Sequence, residues 1–203
     1  MITSKQIIES LAVPKDDDEV ALTLAKMIRD WLKHGQGGVD WKLNYELSQS
    51  LLIYIKRNVP NYSYSGKAYR MLWLNTDELI KDNLISTDKD KLFFTTKQVR
   101  TLLSKNKKYL SKMTSWSKTL SGVSAAGEAM SWRDSSKTIK MIISDYVTGV
   151  DIEKAYNFVV SLHSPDAFYP YLMDLKKYVV SQQEVIAPFN PTSFQVVSIT
   201  TSI

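Results

Sequence analysis

Ser181-Gln182-Gln183-Glu184-Val185-Ile186-Ala187-Pro188 is the stretch on which the reading of this chain turns. Two polar side chains, Gln182 and Glu184, stand two residues apart and directly before an apolar pair. A turn containing Pro188, Asn190 and Pro191 follows, then a second apolar run, Phe194-Gln195-Val196-Val197. Side chains alternate between faces in an extended chain. On that reading Gln182 and Glu184 share a face and Gln183 points away. The pattern predicts strands over 178–186 and 193–200, joined as a hairpin.

Two further polar motifs lie upstream on strand-like segments. Ala68-Tyr69-Arg70-Met71-Leu72 ends an aromatic-led strand in an arginine. Met113-Thr114-Ser115-Trp116-Ser117 gives a Ser-x-Ser, with a small-residue helix expected from Ser121 onward. Arginine, Ser-x-Ser and Gln-x-Glu in this order resemble the mono-ADP-ribosyltransferases, over roughly residue 40 to the end. The Gln at the first position of the last motif is similar to the Rho-modifying bacterial exoenzymes. The surrounding Gln-Glu-Val-Ile-x-Pro looks like the small phage transferases of the Mod and Alt type, which carry Glu there.

The resemblance implies an α+β, ADP-ribosyltransferase-like fold, with N-terminal helices followed by two packed, mainly antiparallel sheets that form an NAD cleft. It implies an NAD–protein mono-ADP-ribosyltransferase, a glycosyltransferase with NAD as substrate, no metal, and NAD hydrolysis as a side activity. Glu184 would be the catalytic carboxylate, and Gln182 would assist it and govern the acceptor. Arg70 with Tyr69, and Ser115 with Ser117, would bind NAD, while Tyr178 would help to recognise the acceptor. The acceptor implied is a host protein, with nucleic acid ranked second. A phage-encoded effector or a toxin-like protein acting in host cytoplasm fits this picture. Relatives carry Gly where Met71 stands and Thr where Trp116 stands, so a transferase fold without activity is the alternative.

The chemistry asks for these residue types. Breaking the bond between nicotinamide and ribose leaves positive charge on the anomeric carbon, as in glycoside hydrolysis. A carboxylate such as Glu184 stabilises that charge. An arginine offers a planar fork that matches phosphate oxygens. Taken singly, each motif also reads as something plainer: an exposed carboxylate at a strand start, a strand-end cation, two hydroxyls on a half-exposed strand.

Composition narrows the field. The 203 residues suit one domain with a sizeable core, helical over 1–60 and mixed over 61–203. The chain has no cysteine, which excludes disulfides and a thiol nucleophile, and His34 and His163 are its two imidazoles. No apolar run approaches the length of a membrane span, and Met1 to Asp18 lack the plan of a secretory signal. The formal charge is +5. Lys105, Lys107, Lys108 and Lys112 around Tyr109 could hold an anion or nucleic acid, or simply form a solvated lysine face. A non-catalytic basic binding module is therefore the competing reading.

Along the chain, apolar spacing predicts helices over 19–33 and 41–58. Gly35, Gly37 and Gly38 end the first and Pro60 the second. Strands are expected over 68–74, 114–118 and 138–147, the last rich in β-branched residues. Helices are expected over 76–81, 96–109, 121–132 and 151–160, and an irregular stretch over 162–175.

Overall fold

The computed structural model describes residues 17–34, 41–75, 77, 96–105, 114–128, 138–162 and 169–201. Two amphipathic helices open it: α1 (Asp17–His34) and α2 (Trp41–Asn58). Their buried stripes, Leu24, Ile28 and Trp31 on α1 and Leu51, Leu52 and Ile55 on α2, recur at helical spacing. β1 (Ser63–Asn75) is longer than expected, and α3 (Thr96–Lys105) and β2 (Thr114–Ser117) follow. Next come α4 (Leu120–Glu128), β3 (Thr138–Asp151) and α5 (Ile152–Leu162). The chain ends with α6 (Tyr169–Gln182), β4 (Glu184–Ala187) and β5 (Gln195–Thr201). The short extended piece expected at Leu92-Phe93-Phe94 and the lysine cluster beyond Lys105 lie outside the described residues, as does most of the short helix expected over 76–81.

Helices α1 and α2 precede β1, and α3 to α6 are interleaved with the strands, a mixed helix-and-sheet architecture consistent with the α+β class expected. The sheet, however, is arranged differently. The described strands form one five-stranded antiparallel sheet in the order β1-β2-β4-β3-β5, with β1 paired to β3 as well. Every residue of β1 has a partner on one edge of β3, from Ser63↔Val150 to Asn75↔Thr138. The opposite edge of β3 is shared: β5 takes Ile139 to Ser144, and β4 takes Val150 and Asp151. β4 then carries β2, and β2 returns to β1 through Tyr69↔Ser117. The sheet thus closes on itself through β1, β2, β4 and β3. Gly149 permits the approach of β3 to β4, since a Cβ there would lie 2.3 Å from the Ile186 carbonyl. The expected hairpin of the last two strands is replaced by two strands standing along the same edge of β3.

The second correction concerns the stretch that opened the sequence reading. Residues 169–182 are helical, so neither the irregular segment over 162–175 nor the strand expected from Tyr178 is present there. Val179, Val180 and Tyr178 favour strands on propensity, but Leu175, Val179 and Gln182 are buried while Lys176, Lys177 and Val180 are exposed. That is a period of 3.6, and packing on the helical layer overrides local preference.

Two cores flank β4, whose four residues are all buried. Ile186 faces a helical core built from α1, α2, α5 and α6. Val185 and Ala187 face a second core with Trp116, Ala68, Leu72, Met141, Ile143, Phe189 and Phe194. Arg100 of α3 ties the second core to the chain entering β5 by donating to the Phe194 carbonyl at 2.6 Å and lying over its ring.

Candidate functional site

Glu184 opens β4 and is 1 % exposed. A carboxylate at that depth needs partners, because burying an unpaired charge is costly. One is the Trp31 indole, whose Nε1–H donates to Oε1 from α1, 153 residues earlier in the chain. Trp31 sits in the buried stripe of α1, so its sequence context marks it as core and gives no sign of a polar role.

β2 lies beside β4 with Ser117 opposite Glu184 and Ser115 opposite Ile186. Ser117, which was expected to line an NAD pocket, donates its hydroxyl to the Gln182 carbonyl at 2.7 Å and is buried. Trp116 between the two serines turns into the second core, as the alternation predicts, and lies 6.1 Å from the Phe189 ring. Arg70 reaches β2 from β1, donating Nη1–H to the Ser115 carbonyl at 2.6 Å. Burial pulls its guanidinium down to about 10, and the Glu184 carboxylate works in the opposite direction. Burial wins, yet Arg70 stays protonated at neutral pH. The structure therefore places Arg70, Ser115, Ser117 and Glu184 on three neighbouring strands, with Arg70 on the face of Ala68 and Ile143 and with Ser115, Ser117 and Glu184 on the face of Tyr69. Tyr69 stands half-buried opposite Ser117.

Gln182 and Glu184 do not alternate along one strand. Gln182 is the last residue of α6, Gln183 has a φ of 47°, and Glu184 begins β4. A left-handed residue just past a helix end satisfies its last carbonyls, here through the Gln183 amide donating to the Val179 carbonyl at 3.0 Å. Gln183 does not simply point away, because its Oε1 accepts from the Thr119 hydroxyl at 2.7 Å. Its carbonyl accepts from the Lys118 amide at 3.0 Å. Gln182, expected to govern the acceptor, is 4 % exposed and lies deep in the structure. Tyr178, the expected acceptor contact, packs partly buried against the helical core.

Sequence reasoning missed the polar cluster next to these residues. Lys118, directly after Ser117, bridges Asp151 at 3.2 Å and Glu153 at 2.5 Å. Asp151, buried at the end of β3, also accepts from the Glu153 amide at 3.0 Å and so caps α5. An Asp immediately before an apolar helical pattern was the available signal. Thr119 caps α4 in the same way, accepting from the Gly122 amide at 3.1 Å. These bonds fix the ends of β2, β3, α4 and α6 around Glu184. Comparison with protein-family models, with curated proteins and with solved structures finds no match.

Proposed function

We propose that the protein is an NAD-dependent mono-ADP-ribosyltransferase that modifies a macromolecular acceptor, a host protein first. The observation that carries this reading is the gathering of Arg70, the Ser115–Ser117 pair and Glu184 onto adjacent strands from three separate parts of the chain. NAD, when bound, supplies the ADP-ribosyl group. The donor set suits it: Arg70 spends one N–H on the Ser115 carbonyl and has further donors for phosphate oxygens. Glu184 holds negative charge where the anomeric carbon becomes positive, and it accepts from the ribose 2′-hydroxyl. The glycosidic electron pair leaves with nicotinamide. A lone pair of the acceptor forms the new bond to the anomeric carbon, and the acceptor's proton is released.

Removing preorganised charge of this kind costs on the order of 10²–10³ in rate. Labelled NAD incubated with the protein and a lysate should deliver label to an acceptor band, with nicotinamide released. Glu184→Gln should lose both while keeping NAD affinity, since the charge acts mainly in the transition state. Full activity in Glu184→Gln would overturn the assignment. The depth of Glu184 beneath Trp31 favours a second reading, a transferase fold that binds without catalysis. Absence of nicotinamide release from the unaltered protein would select it.

A further inference from the structure

The side of the β1–β3 ribbon turned away from the second core carries a different kind of surface. Lys67, Tyr69 and Trp73 alternate to that side of β1, opposite Tyr146, Ser144 and Lys140 of β3. Tyr146 is 79 % exposed, an unusual place for a large ring in the middle of a long strand. Both lysines lie over rings, Lys67 Nζ at 5.6 Å from the centre of Tyr69 and Lys140 Nζ at 4.7 Å from that of Trp73. The strand alongside, β5, contributes Gln195 and Thr200 in register with Ser144 and Lys140. Among the described residues of these three strands, then, this face holds two cations and no carboxylate. Asp145 belongs to the other face, opposite Ala68, where it accepts from the Ser193 hydroxyl.

We propose that this face binds single-stranded nucleic acid, with Tyr146 and Tyr69 stacking on bases and Lys67 and Lys140 meeting phosphates. Rings on a sheet face can stack on bases only when those bases are unpaired, which selects a single strand over a duplex. The interleaved lysines give the charge complementarity that a polyanion requires. An acidic protein would also satisfy the lysines, but it would leave an exposed ring such as Tyr146 without a stacking partner. Through Tyr69↔Ser117 and Ser117↔Glu184 this face continues toward Glu184, but Glu184 is covered by Trp31 of α1 whereas Tyr146 stands exposed, so binding here shares only Tyr69 with the residues expected to hold NAD.

The test is fluorescence anisotropy of the full chain with a labelled single strand of about ten nucleotides, as RNA and as DNA, with a matched duplex alongside. Binding of the single strand should exceed that of the duplex. Tyr146→Ala should weaken it about tenfold, and Tyr146→Phe, which keeps the ring, should retain it. The double substitution Lys67→Ala with Lys140→Ala should lower the slope of log affinity against log salt by about 1.4. Glu184→Gln should bind like the unaltered protein. The Tyr146 ring is exposed, so its loss should leave the thermal midpoint unchanged. No binding at low salt would overturn the proposal. So would equal affinity for duplex, indifference to the Tyr146 and lysine changes, or equal competition by poly-glutamate.

Discussion

Trp31 and Glu184 show how a single buried bond can tie the two halves of a chain together. The Trp31 indole donates to a Glu184 carboxylate that is 1 % exposed. Phenylalanine keeps an aromatic ring in the core but lacks the N–H and the second ring. Trp31→Phe should therefore cost about 1.5–3 kcal/mol for the lost hydrogen bond to a charged acceptor, with the emptied ring volume adding to it. A urea titration checks this through a lowered midpoint at constant slope; an unchanged midpoint would mean that another donor takes over. None of this was legible in the sequence. A tryptophan at helical spacing with Leu24 and Ile28 is indistinguishable from ordinary core, and the pairing spans most of the chain. Arg70 was legible, by contrast, through its place at the end of an aromatic-led strand, upstream of the Ser-x-Ser and Gln-x-Glu motifs in a fixed order.

The helices and strands themselves were read well where one period dominated. α1, α2, β3 and α5 fall close to their expected bounds, because stripes such as Leu51, Leu52 and Ile55 or a run such as Ile139 to Ile143 leave little ambiguity. The reading failed at α6, where Val179 and Val180 suggest a strand and only the partner surfaces reveal the helical period. The same failure removed the shared-face argument for Gln182, whose depth now associates it with support of the site. The junction of α4 with α6 gives an element-level test. A Cβ on Gly122 would lie 2.1 Å from the Ser117 hydroxyl and 2.5 Å from the Gln182 carbonyl. Alanine favours a helix over glycine by about 1 kcal/mol, but the hydroxyl can rotate away and the backbone carbonyl cannot. Overpacking of this kind costs about 1–3 kcal/mol and should prevail. Gly122→Ala should lower the thermal midpoint; a raised midpoint would show that the helix shifts freely.

At the scale of the whole molecule, the sheet and the helical layer are joined by Lys118, which links the end of β2 to the start of α5 through Asp151 and Glu153. Burial lowers its affinity for a proton, but the two carboxylates outweigh burial and hold it above the ordinary 10.5. A base that keeps its proton more tightly when folded stabilises the fold below its unfolded value, and that contribution is lost as pH rises through the folded one. The stability lost in Lys118→Met should thus be constant from neutral pH to about 9, and should shrink above the ordinary lysine value. Denaturant midpoints of both proteins against pH measure it, and a gap that widened above 10.5 would reverse the assigned sign. The closed pairing of β1 with both β2 and β3 has one more consequence. Arg70 meets a carbonyl 45 residues away, and Glu184 meets an indole 153 residues away. No local segment brings these groups together, so large loops must close before the site exists. Non-local pairing of this kind belongs to the slow end of folding, in milliseconds to seconds. A ribosome would have to release the chain past Glu184 before that carboxylate could find Trp31, and a copy still short of β4 would carry Arg70 and the Ser115–Ser117 pair without the carboxylate beside them.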